Sequence, residues 1–123
     1  MRKKIALHIQ MITRVIIDWD DDLLRLNNRE AGNSGSRKLT FLDWDGDGDL
    51  DLIVNALNAT LLENTGTKDG FTMYVDKGLL GKKRLAGHTT SPVGVDWDKD
   101  GLSDLILGAE DGRFYFIKNP NFK

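Results

Sequence analysis

Asp43-Trp-Asp-Gly-Asp-Gly-Asp-Leu-Asp51 and Asp96-Trp-Asp-Lys-Asp-Gly-Leu-Ser-Asp104 are one acidic loop written twice, each copy set between short apolar, β-prone runs. Carboxylates stand at loop positions 1, 3, 5 and 9, a spacing that lets them converge on one hard cation. Glycine at position 6 lets the backbone turn so that the carbonyl at position 7 also points inward. In the first copy the ligands are Asp43, Asp45, Asp47 and Asp51, with Gly48 turning and Asp49 offering its carbonyl. In the second they are Asp96, Asp98, Asp100 and Asp104, with Gly101 turning and Leu102 offering its carbonyl. Oxygen-only ligation without a nearby His or Cys selects Ca2+ over zinc or copper, and a flexible carboxylate loop suits it better than the strict octahedron of magnesium. The expectation is two calcium sites.

An EF-hand opens with the same spacing but needs a bidentate Glu at position 12 and a helix on each side. Here position 12 is Val54 in one copy and Leu107 in the other, both inside apolar runs, so the loops join strands. Asp and Gly are also ordinary turn residues, and a single copy is readable as a solvated turn. Two copies in one register argue for an ion, because each collects four or more carboxylates that repel one another by several kcal/mol per close pair near a protein surface.

The 123 residues are 40% hydrophobic and 29% charged with a formal net charge of −2, which describes an ordinary folded domain and offers nothing to a polyanion. The basic cluster Lys82-Lys83-Arg84 lies in a glycine-containing connection without interleaved aromatics and reads as a solvated loop, so no nucleic acid partner is expected. Cysteine is absent, which removes disulfides and thiol chemistry and leaves the compartment open. The basic start Met1-Arg-Lys-Lys resembles the head of an export signal, but His8, Gln10, Thr13 and Arg14 interrupt the apolar part and no small-residue cleavage site follows. No run approaches the roughly 18 apolar residues of a membrane span.

The loops are offset by 53 residues, from Asp43 to Asp96, a period typical of propellers, solenoids and arrays. Strands are predicted at 38–42 and 92–95 leading into the loops, and at 50–54 and 103–107 leaving them. Turns at 55–58 and 108–112 then lead to third strands at 59–64 and 113–118, with a further strand over 71–75. Little helix is expected, residues 1–14 or a strand including Val15-Ile-Ile17 being the ambiguous part; residues 27–36 read as a polar loop. A third Asp18-Trp19-Asp20 lacks both the turning glycine, replaced by Leu23, and the closing aspartate, replaced by Leu26, and reads as a hairpin turn or a decayed copy. The chain divides into an N-terminal segment over 1–36, a first repeat over 37–92 and a second, partial repeat over 93–123.

A leading strand, the loop DWDGDGDLD or DWDKDGLSD, and an apolar exit strand together resemble FG-GAP repeats, also called VCBS repeats, over about residues 37–118. The resemblance implies all-β, β-propeller-type blades, about two four-stranded antiparallel units of an incomplete propeller. It also implies calcium held in each blade by Asp43, Asp45, Asp47, Asp49 and Asp51 and by Asp96, Asp98, Asp100, Leu102 and Asp104. Lys99, at a position that is normally not a ligand, is the second loop's departure from the pattern. Proteins of this family point to an extracellular or cell-envelope location. Propellers close with four to eight blades, so the remaining blades of a longer propeller, or self-association, are expected as partners.

The fold leaves the activity open. One reading is a non-catalytic module with structural calcium that serves carbohydrate or protein binding. A second is the propeller portion of a secreted polysaccharide lyase or hydrolase, and a third is a fragment without function of its own. For catalysis the candidate is His88, beside Thr89, Thr90 and Ser91, where turn hydrogen bonds explain the same residues, so no catalytic residue is assigned. His8 reads as packing or exposed. Phe114, Tyr115 and Phe116 alternate along a strand and read as core and face packing rather than a sugar platform. Trp44 and Trp97 are expected to pack between or beside blades.

Overall fold

Residues 16–17, 26, 37–85 and 90–121 are described by the structure, a computed structural model. Period-2 alternation and β-branched or aromatic side chains give eight strands: β1 (Ile16–Ile17), β2 (Leu39–Leu42), β3 (Asp51–Asn55), β4 (Ala59–Lys68), β5 (Phe71–Leu79), β6 (Thr90–Val95), β7 (Asp104–Ala109) and β8 (Phe114–Ile117). No helix occurs among the described residues, and none is therefore long and apolar enough to cross a membrane. The described residues are all-β, built as two sheets that do not close.

The first sheet has the order β1-β5-β4-β3-β2, antiparallel from β2 to β5 with β1 added parallel to β5. Its long β4–β5 hairpin turns at Asp69-Gly70, where both residues have positive φ (51° and 82°), as the favoured two-residue hairpin turn requires. The second sheet, β6-β7-β8, is antiparallel throughout. It has the three strands predicted for this partial repeat, one fewer than the four-stranded unit the resemblance implies. After β8 the described chain does not turn back to pair; Asn119 and Asn121 are instead drawn into hydrogen bonds with the first sheet's loop.

The strand pairings reveal the repeat. Leu52 stands opposite Leu62 and Ile53 opposite Leu61, while Leu105 stands opposite Ile117 and Ile106 opposite Phe116. The first two strands of each unit therefore superimpose at the 53-residue offset. The third strands superimpose at 55, because the β7–β8 turn is two residues longer.

Two apolar clusters follow from alternation. One lies between the sheets, where Leu42, Trp44, Ile53, Ala59 and Leu61 of the first repeat meet Leu105, Leu107, Ala109, Tyr115 and Ile117 of the second, with Leu80 and Leu85 from the connection. The other covers the first sheet's opposite face, with Leu52, Val54, Leu62 and Tyr74 packed against Leu26. Close approach of the sheets requires Gly94, since a methyl group there would overlap the Leu42 side chain. Trp44 is buried at 4% exposure, as expected, but Trp97 is 65% exposed and only tilts against Phe116 at 6.5 Å. Among the aromatics of β8, Tyr115 packs on the core, whereas Phe114 and Phe116 are exposed (81% and 49%), because they face the side of the second sheet that no described element covers.

Candidate metal centre

Each acidic loop is folded by its own aspartates, which accept backbone N–H groups ahead of them in the chain. Asp43 takes Gly46 (2.8 Å) and Asp47 (3.1 Å) on Oδ1 and Gly48 (2.9 Å) on Oδ2; Asp96 takes Asp100 (3.0 Å) on Oδ1 and Gly101 (3.0 Å) on Oδ2. Asp45 and Asp98 then accept from Asp47 (3.1 Å) and Asp100 (3.3 Å), and Asp47 and Asp100 from Asp49 (2.8 Å) and Leu102 (2.9 Å). These are the short-range side-chain turns that Asp forms readily. Gly48 and Gly101 have φ of 96° and 94°, the turning role predicted for position 6. At position 4, Gly46 has φ 79° and Lys99 is held at 61°, a conformation that costs a side-chain-bearing residue on the order of 1 kcal/mol.

The closing aspartates do something different. Asp51 and Asp104 are buried at 1% and 0% exposure, and each ties three chain segments together. Their Oδ2 atoms accept the N–H of the loop tryptophan (Trp44, 2.8 Å; Trp97, 3.2 Å), and their Oδ1 atoms accept the N–H of an asparagine, Asn64 within β4 (2.8 Å) and Asn119 just past β8 (2.8 Å). Those asparagines return a bond to the loop, from Asn64 Nδ2 to the Leu50 carbonyl (3.1 Å) and from Asn119 Nδ2 to the Ser103 carbonyl (3.0 Å). Asn64 and Asn119 are the residues that sequence reading missed. Each stands at the end of a predicted third strand, and only strand pairing carries it to the loop.

In the first loop one carboxylate oxygen from each of Asp43, Asp45 and Asp47 lies within 4.8 Å of the others; in the second the group is Asp96, Asp98 and Asp104. Asp49, Asp51, Asp100 and Leu102, also predicted as ligands, stand outside these groups of three. Burial, with the charges of Asp51 and Asp47 nearby, raises the Asp45 carboxyl above the ordinary aspartate value, and burial raises Asp51 as well. In both, removal of the carboxylate from water is the main cause.

In the second loop a lysine contacts the carboxylates directly. Lys118 directs its ammonium onto Asp98, with Asp100 Oδ2 at 3.4 Å, and this contact holds Asp98 below the ordinary range and raises the lysine. In the repeat register the residue matching Lys118 is Glu63, which instead pairs with Lys77 at 2.8 Å. The two loops thus share a backbone cage, and the residues matched in register, Lys118 and Glu63, carry opposite charges, Lys118 contacting its loop and Glu63 pairing with Lys77.

Asp18 to Asp22, Trp19, His8, His88 and residues 27–36 lie outside the described residues, so no geometry attaches to the readings made for them. Comparison with protein-family models, with curated proteins and with solved structures finds no match in any of the three.

Proposed function

We propose that the chain is a calcium-binding repeat module of the FG-GAP/VCBS type, in which each loop binds one Ca2+ that stabilises its β-unit, and that the two units are blades of a larger propeller-type assembly. What supports the reading is the register-matched duplication of the loop: the same aspartates accept the same N–H groups in both copies, and each copy gathers three carboxylate oxygens within the span of one ion. An all-oxygen, carboxylate-rich donor set is the chemistry that Ca2+ takes. Asp43, Asp45 and Asp47, and Asp96, Asp98 and Asp104, would supply the first contacts; Asp49, Asp51, Asp100 and Leu102 are the remaining ligands of the proposal. Calcium here is structural, and the module's role is to present a surface to a carbohydrate or a protein. An exported location, where calcium is abundant, goes with this reading.

A calorimetric calcium titration of the full chain, with thermal unfolding in parallel, tests it. Asp45→Ala and Asp98→Ala are the informative substitutions, because each of these residues accepts a single loop N–H and its loss spares the rest of the cage. Two saturable sites are expected, with Kd on the order of 10⁻⁴–10⁻³ M as in extracellular calcium modules, each abolished by its own substitution. At ten times Kd each site should add about 1.4 kcal/mol to stability. Folded protein that takes up no calcium would leave two self-capped acidic turns and end the metal reading.

A further inference from the structure

One face of the second sheet is apolar and open, and the chain itself shows what belongs on it. Val93, Ile106 and Phe116 stand side by side across β6, β7 and β8, with Val95, Trp97 and Phe114 around them, and five of these six are exposed, from 36% for Val95 to 81% for Phe114. In the repeat register Val95, Trp97, Ile106, Phe114 and Phe116 occupy the positions of Leu42, Trp44, Ile53, Ala59 and Leu61. Those five residues are the half of the inter-sheet core that the first sheet contributes. The first sheet's copy of this face is covered by the second sheet, and the second sheet's copy is covered by nothing described.

We infer that the open face of the second sheet is the docking site for a further repeat of the same kind, carried on a blade-type sheet that approaches as the second sheet approaches the first. The existing interface specifies the incoming surface. It carries apolar residues at the Leu105, Leu107, Tyr115 and Ile117 positions, which face the core. It has a very small residue at the Gly94 position, where a side chain would strike the residue at the Leu42 position. It has an asparagine at the Asn119 position, which in the existing interface donates through Nδ2 to the Trp44 carbonyl (2.7 Å); the matching acceptor on the open face is the Trp97 carbonyl. A second copy of this chain does not meet that description with its first sheet, which carries Phe41 at the Gly94 position and has the relevant face packed against Leu26. The inference rests on the repeat part of the functional reading and not on calcium.

The test extends the full chain in register, joining a second copy of residues 64–121 directly after Lys118, so that Asn64 of the copy takes the place of Asn119. The other tryptophans are replaced by phenylalanine so that fluorescence reports Trp97 alone. Docking is expected to shift Trp97 emission to the blue and to reduce its quenching by acrylamide severalfold relative to the unextended chain, with the protection lost when the copy of Gly94 becomes leucine. A second form carries Val95→Leu on the receiving face, which restores the Leu42-type contact and guards against an extension that docks too weakly. If neither form protects Trp97, the proposal is overturned. Protection that grows with concentration in the unextended chain would assign the face to a second copy and overturn it too. Val93→Lys with Phe116→Lys should leave the unextended chain's melting temperature unchanged and abolish protection in the extended one; destabilisation of the unextended chain would show the face already in use and overturn the proposal. Trp97 protection without calcium uptake would sink the metal reading alone, and calcium uptake without protection would sink this one alone.

Discussion

The two loops differ in charge at Gly46 against Lys99 and at Asp49 against Leu102, and again at the flanking register position, Glu63 against Lys118. Lys118 brings an ammonium to Asp98 and Asp100, while Glu63, at the matching register position, is paired with Lys77. On the calcium reading, a divalent ion in the second loop would compete with that ammonium for Asp98 and Asp100. Exposed ion pairs of this sort are worth about 0–1 kcal/mol, so Lys118→Met is expected to tighten calcium at the second loop by up to about fivefold and leave the first unchanged. Glu63→Lys should weaken the first loop in turn, and site-resolved calorimetry in the Asp45→Ala and Asp98→Ala backgrounds reads both. Equal affinities in all four proteins would show that the lysine does not compete. The aspartates at loop positions 1, 3 and 5 were legible in the sequence because the bonds they make run two to five residues along the chain. The lysine's role was not, because twenty residues separate it from Asp98 in the chain and only the β7–β8 pairing brings it to the loop.

Between elements, the contact of β6 with β2 sets how near the sheets come. Gly94→Ala should destabilise the chain by about 1–3 kcal/mol through overpacking against Leu42, measured by denaturant unfolding; a neutral result would show that the sheets slide apart at no cost. The β7–β8 turn carries a titrating pair instead. Tyr115 Oη donates to Asp111 Oδ2 at 2.6 Å, which holds the Asp111 carboxyl below the ordinary aspartate range and raises the tyrosine. A depressed carboxylate contributes stability that is present above the unfolded-state value and lost as pH falls through the lower folded-state value. Carboxyl-carbon NMR should therefore find Asp111 titrating low, and Tyr115→Phe should return it toward the ordinary range. An Asp111 titration unmoved by that substitution would place the cause elsewhere. Strand positions were readable from alternation, but β4 and β5 run on to Lys68 and Leu79, past the predicted ends at 64 and 75, because each extends the other's ladder across the Asp69-Gly70 turn. The hold of Asn119 and Asn121 on the Trp44 carbonyl was not readable, since 75 and 77 residues separate the partners in the chain.

For the molecule as a whole, the two sheets share one core, and the same three-residue motif contributes to it unequally. Trp44 lies between the sheets and Trp97 lies in solvent. Trp44→Ala should cost about 3–5 kcal/mol as a core truncation, whereas Trp97→Ala should change stability by no more than about 0.5 kcal/mol in the chain as given. Thermal or denaturant unfolding followed by circular dichroism distinguishes the two, and comparable losses would mean that the second sheet's outer face is covered as well as its inner one. Shared core residues from both repeats also imply that the sheets unfold together, with neither surviving the loss of its partner's face.

Local chemistry was enough to write the acidic loops, the turning glycines and the strands around them, because capping bonds, left-handed turns and period-2 alternation are decided by neighbours within a few residues. The tertiary structure decided which copy of a repeated residue is buried, which asparagine closes each cage and which charge stands beside it. Asp-Trp-Asp reads the same at 43 and at 96, but burial is a property of the surface laid against a residue, and only the first repeat has a described sheet packed over that face.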